Sequence, residues 1–146
     1  MEIRRSPVII AGNPAVYAKG SAVSGAKGHV FLSGSVGVDV NTGKVPEAAG
    51  EQARLALENI KVRLEEYGSS LNNILLIRKY IKGDFPNGII ADPLYREISE
   101  AIESFWADHC PEFLKENNPP ASTLLGVSAL AQSEYLLEIE VVAAIE

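Results

Sequence analysis

Residues 46–67, PEAAGEQARLALENIKVRLEEY, set Ala53, Leu57, Ile60, Leu64 and Tyr67 at intervals of four, three, four and three. That spacing makes one apolar stripe on an amphipathic helix, which opens near Pro46-Glu47 and is stopped by Gly68 just past its end. A second helical period runs from about Leu94 to His109, with Leu94, Ile98, Ala101, Ile102, Phe105 and Trp106 on its inner face and Pro111 ending it. Between the two, residues 73–82 (NILLIRKYIK) form a β-rich run, followed by the turn-forming GDFPNGIIADP. From Gly20, GSAVSGAKGHVFLSGSVGVDVNTGKVP reads as two short strands broken by glycines, with Asn41-Thr42-Gly43 as a turn. Residues 1–20, punctuated by Pro7 and Gly12-Asn13-Pro14, show no helical period and are expected to be extended or looped. After the linker ENNPP, two last strands are expected over 121–129 and 135–144. The order is strand, strand, helix, strand, helix, strand, strand: an α+β fold with both helices on one face of a mixed sheet. The other face then needs a cover, and identical subunits are one common solution.

The last strand carries an oddity. In YLLEIEVVAAIE, Glu138 and Glu140 share a face with Leu136 and Val142, whereas Leu137, Ile139, Val141 and Ala143 take the other. Two carboxylates pointing the same way are either the solvated side of a half-buried strand or the lining of a site.

Length and composition narrow the classes. With 146 residues the chain is expected to be a single domain spanning 1–146. Apolar runs such as Val8-Ile9-Ile10-Ala11 are too short to cross a bilayer, and MEIRRSPVIIAGNP lacks the long apolar stretch of a secretion signal, so a cytoplasmic protein is expected. The single cysteine, Cys110, excludes an internal disulfide. With two histidines in all, the His109-Cys110 pair makes no zinc site, and no metal is expected. A net charge of −6 without a basic stripe opposes binding to a phosphate backbone, so nucleic acid is not an expected partner. GSAVSGAK has the glycine spacing of a phosphate-binding loop. Ala26 stands where its lysine belongs, Lys27 where its Ser/Thr belongs, and a strand follows instead of a helix, so that function is excluded.

Three stretches carry a resemblance: VFLSGSVGVDVNTGKVPEAAGEQARLALENIKVRLEEYGSSLNNILLIRKYIK, ESFWADH, and PPASTLLGVSALAQSEYLLEIEVVA. Together they cover most of residues 17–144 and resemble the Rid family, also called YjgF-type or L-PSP-like proteins. The first is the most specific, through its Ser-Gly, its hairpin Thr-Gly and its Gln-Ala-Arg-x-x-Leu-x-Asn helix. The resemblance implies a chorismate-mutase-like fold, a homotrimer, and a cleft for a small-molecule ligand at each subunit interface. It also implies a reaction: hydrolysis of reactive imines and enamines, released by pyridoxal-phosphate enzymes, to a keto acid and ammonia, without a metal or organic cofactor.

Carried over residue by residue, the resemblance makes Glu138 the carboxylate that positions the attacking water, with Glu140 as its neighbour, and matches Tyr17 to a family tyrosine. It places Ser33, Gly34, Ser99, Trp106, Ser122 and Thr123 along the cleft. Ser99 takes the place of a family asparagine. Ser122 stands where archetypal members hold the substrate carboxylate with an arginine. A serine hydroxyl supplies a neutral hydrogen bond of ~1 kcal/mol, against ~1.5–3 kcal/mol for one to a charged group. Lys19, two residues from Tyr17 and on its face if the segment is extended, is a candidate replacement cation or a plain solvated lysine. Three functions stay open: an imine hydrolase of altered specificity, a non-catalytic trimer that binds a small metabolite, and, disfavoured by the acidic charge, the endoribonuclease activity ascribed to some members.

Overall fold

The computed structural model describes residues 1–116 and 118–146. Its sheet has seven strands: β1 (Glu2–Ile10), β2 (Asn13–Ser24), β3 (Gly28–Phe31), β4 (Ser35–Val36), β5 (Ile74–Lys82), β6 (Ala121–Val127) and β7 (Leu137–Ile145). The lateral order is β1-β2-β6-β5-β7-β3, with β4 also paired to β7. Helices α1 (Ala49–Glu66) and α2 (Pro93–His109) cover one face, as the periodicity predicts.

The N-terminal segment differs from expectation. It is not a loop but a long antiparallel hairpin, in which Ile10 faces Asn13 across the two-residue turn Ala11-Gly12. Both turn residues have positive φ, 49° and 81°, the conformation that suits the twist of a tight hairpin. The hairpin stands largely in solvent, so its sequence shows no clean alternation, and Pro7 sits at a break in register where no ladder bond is needed. Arg5 ties it to the body. Its guanidinium donates to the carbonyls of Asn72 and Ile74, both at 2.8 Å, and lies 5.1 Å from the centre of the Phe113 ring.

The boundaries of α1 are set by tertiary contacts. It begins at Ala49, later than Pro46, because the Pro46 carbonyl is taken by the Gln52 side chain at 2.7 Å. Ala48 offers no capping side chain, and the Gly50 N–H is satisfied by Glu97 of α2 at 3.2 Å. At the other end Gly68 has φ 73°, with Gly68 N–H bonded to Glu65 and Ser69 N–H to Leu64, a Schellman stop. Tyr67 therefore leaves the apolar stripe and is exposed. Leu57, Ile60 and Leu64 are fully buried, each gaining ~1.5–3 kcal/mol from burial. α2 begins at Pro93 with Asp92 as its cap, accepting from the Leu94 N–H at 2.9 Å.

The Gln-x-x-x-x-x-x-Asn spacing on α1 has a structural cause. Gln52 is buried; its amide donates to Pro46 and Glu134 carbonyls and its oxygen accepts from Leu136 N–H, all within 2.9 Å. Two turns later Asn59 donates to the Val38 carbonyl at 2.9 Å. The two amides clamp the chain on either side of α1. Gly37 lies so close to the helix that an added Cβ would stand 2.3 Å from Gln52 Cα.

The last two strands end at 127 and begin at 137, and they are not neighbours. β5 lies between them, parallel to β6 and antiparallel to β7. Leu137, Ile139, Val141 and Ala143 face the helices and are buried, as their alternation predicts. The GDFPNGIIADP segment folds back over the end of β6, where Phe85 lies against Gly126.

Candidate active site

The sheet divides the sequence-predicted site residues into two groups. On its helix-covered side a cavity of about 410 Å³ opens between α2, the Pro111–Leu114 turn and the strands. Ser99, Trp106 and Ser122 line it, with Ile77, Ile102 and Phe113 supplying much of its apolar wall. Trp106 and Phe113 meet edge to face with centroids 5.0 Å apart, which fixes that wall. Ser99 turns its hydroxyl back to the Arg96 carbonyl at 3.0 Å. The cavity also receives Lys79 and Tyr95, which the sequence reading did not select.

On the opposite, uncovered side lies the carboxylate pair. Register places Tyr80 beside Glu138 and Arg78 beside Glu140, so all four share one face. Glu140 is held: Tyr80 donates its hydroxyl to Oε1 at 2.5 Å and Arg78 reaches the same oxygen at 3.2 Å. That hydrogen bond, with burial adding to it, raises the Tyr80 phenol above its ordinary range. Glu138 has no ion-pair partner among the described residues. Instead its side chain lies over Gly34, where a Cβ would stand 2.0 Å from Oε1 and 2.8 Å from Cγ. The Ser-Gly motif thus leaves a gap that the carboxylate fills. Thr123 registers with Arg78 and is exposed on this same side.

Three residues join neither group. Ser33 is exposed beside Gly34, and Tyr17 and Lys19 are exposed on β2, next to Pro14, Ala15 and Val16 of the cavity rim.

The His109-Cys110 pair holds no reactive thiolate. Cys110 is 1% exposed, its Sγ lies 3.0 Å from Asn72 Oδ1, and burial pushes the thiol from its ordinary 9.0 up to about 11. His109 lies against the Phe105 ring, centroids 4.4 Å apart. Among the described residues no three His, Cys, Asp or Glu side chains gather to hold a metal, and no helix is long and apolar enough to cross a membrane.

The family described as Endoribonuclease L-PSP matches residues 12–145. A RutC family protein of Aquifex aeolicus is 30% identical over 116 residues, covering 80% of each chain. The 2-iminobutanoate/2-iminopropanoate deaminase of Salmonella typhimurium is also 30% identical over 116 residues, covering 78% of this chain and 77% of its own. Among solved structures, Escherichia coli TdcF with bound serine superposes over the whole of both chains with a TM-score of 0.65 and 27% identity. A Rid protein from Yersinia pestis, 20% identical, shares the fold with a TM-score of 0.67 over 96% of this chain and 99% of its own. The chain therefore belongs to the Rid, or YjgF/L-PSP, family and has its mixed α+β sheet with two helices.

Proposed function

We propose that this protein hydrolyses the C=N bond of a small imine, or of the enamine in equilibrium with it, at clefts between the subunits of a cytoplasmic homotrimer. The observation that carries this is the division of the site by the sheet. Glu138 on the uncovered face and Ser99, Trp106 and Ser122 in the cavity are kept apart within one chain. A ring of identical subunits, in which one surface meets a different surface of the next copy, brings one subunit's carboxylate to its neighbour's cavity. The uncovered face offers apolar cover for such an interface: Phe31 is 76% exposed and registers with Val142, and Leu125 is 47% exposed.

The chemistry needs few parts. Water adds to the carbon of the protonated imine while Glu138 accepts its proton. Glu138 then returns that proton to the amine of the carbinolamine, the C–N bond breaks to release ammonia, and the hydroxyl loses its proton to water as the keto product forms. Glu138 suits this work because it has no ion-pair partner among the described residues, whereas Glu140 is spoken for by Arg78 and Tyr80. The named deaminase relative supports the same bond type. Binding of RNA, by contrast, is opposed by the net charge of −6 and by a candidate face carrying two carboxylates.

The test is ammonia release from 2-iminobutyrate and from a neutral imine, each generated in situ, with and without the protein. Acceleration that Glu138→Ala abolishes without loss of fold supports the proposal. No acceleration on either substrate, with retained binding of small acids, leaves a metabolite-binding trimer as the function instead.

A further inference from the structure

Lys79 is an anomaly for a strand residue. It lies between Ile77 and Ile81 on the helix-covered side of β5, where those two are buried in the core. It lines the 410 Å³ cavity and forms no ion pair with any described residue. The other cations of β5 are engaged: Arg78 binds Glu140 and Lys82 donates to the Ser133 carbonyl at 2.6 Å. Burial alone pushes the Lys79 ammonium below its ordinary range, so the site costs stability and nothing described within the chain repays it. Glu103, Lys115 and Glu116 also border the cavity but are exposed at its rim, and Lys115 is paired with Glu112 at 2.5 Å. Register places Ser122 opposite Ile77 and Leu124 opposite Lys79, so Ser122 and Lys79 are diagonal neighbours on one face of two paired strands.

We infer that Lys79 is the cationic anchor of this cavity, which binds a small carboxylate with an apolar body. The ammonium holds the carboxylate, Ser122 offers a hydroxyl beside it, and Ile77, Ile102, Trp106 and Phe113 pack the organic part. The volume lies within the ~300–1,000 Å³ usual for small-molecule sites, with few polar groups set in an apolar wall. The positive charge is thus supplied from β5 instead of the β6 position of Ser122. This rests on the proposed function only in taking the carboxylate for that of the substrate, and binding can be tested without turnover.

Trp106 is the only tryptophan and lines the cavity, so its emission reports occupancy directly. Titrate the full-length protein with 4-methylpentanoate and, separately, with its uncharged primary amide. The expected result is saturable change with the acid and at least tenfold weaker binding of the amide, a ratio that falls to about one in Lys79→Met and is partly kept in Lys79→Arg. Adding Ser122→Arg to Lys79→Met returns a cation to the cavity and is expected to restore the preference. Equal binding of acid and amide by the wild type, or of neither, overturns the assignment even if no variant folds. So does an undiminished preference in Lys79→Met. If the acid preference depends on Lys79 but no imine is hydrolysed, the anchor stands and the proposed catalysis falls.

Discussion

Replacing Gly34 by alanine separates a catalytic role of Glu138 from a structural one. The new Cβ would stand 2.0 Å from Glu138 Oε1, 2.7 Å from Cδ and 2.8 Å from Cγ, so the clash involves the whole arm beyond its first carbon. Gly34 does not have a positive φ, so alanine brings no backbone strain and the cost is confined to displacing one side chain. Pushing that side chain off its rotamer costs ~0.5–1.5 kcal/mol. For a domain of this size that corresponds to a fall of roughly 2–6 °C in Tm. Activity is expected to suffer far more, because a misplaced general base forfeits ~10²–10⁴-fold in rate. The assay is kcat/KM for 2-iminobutyrate hydrolysis beside calorimetric Tm, with Glu138→Ala as the reference. Activity within threefold of wild type would show that the position of the carboxylate over Gly34 is unimportant. A Tm fall beyond 10 °C would show that Gly34 is needed for the fold.

Other expectations follow from the same contacts. Gln52→Ala strips hydrogen bonds from the Pro46 and Glu134 carbonyls and the Leu136 N–H, costing ~3 kcal/mol or more and lowering Tm by about 10 °C; a loss under 3 °C refutes the clamp. Cys110, its thiol pushed up to about 11, is expected to react with iodoacetamide at neutral pH at least ~100-fold more slowly than free cysteine until the protein unfolds. Because the folded thiol keeps a proton that the unfolded chain releases from its ordinary 9.0, this contribution to stability is complete below pH 9 and is lost as pH rises through about 11. Cys110→Ala should flatten that part of the urea-stability profile. For Lys79 the sign is opposite: its ammonium value is lowered on folding, so a penalty present at neutral pH lifts as pH rises towards 10.5. Lys79→Met should therefore melt above wild type at pH 7, by a margin that narrows at alkaline pH.

Much of this architecture is written in local pattern. The stripe Ala53-Leu57-Ile60-Leu64 and the alternation Leu137-Ile139-Val141-Ala143 mark the faces that the structure buries. The N-terminal hairpin escaped because it buries little, so selection for alternation is weak there, and its turn uses Ala11 where a glycine or asparagine signal would be expected. Periodicity carries the stripe one position too far, to Tyr67, since it says nothing of where Gly68 bends the chain. At the candidate site, Ser99, Trp106 and Ser122 come together and Glu138 stands over Gly34. What pattern alone hid was Lys79: a register shift between Ile74 and Leu76 breaks the strand's alternation, so a lysine on the inner face read as one charge among several. The one available clue was its place between Ile77 and Ile81, two residues to either side.

The decisive measurement is subunit complementation. Glu138→Ala removes the carboxylate from one face, and Ser99→Trp blocks the cavity on the other side of the sheet. Each variant alone should form an inactive trimer of native mass. Co-expressed in equal amounts and purified together, they assemble at random, and across the whole population of rings about a quarter of the clefts pair an intact Glu138 with an intact cavity. Hydrolysis of 2-iminobutyrate is expected to return to about that fraction of the wild-type rate. Mixed trimers as inactive as their parents, or a wild-type protein that is active as a monomer, would contradict a site shared between two copies of the chain.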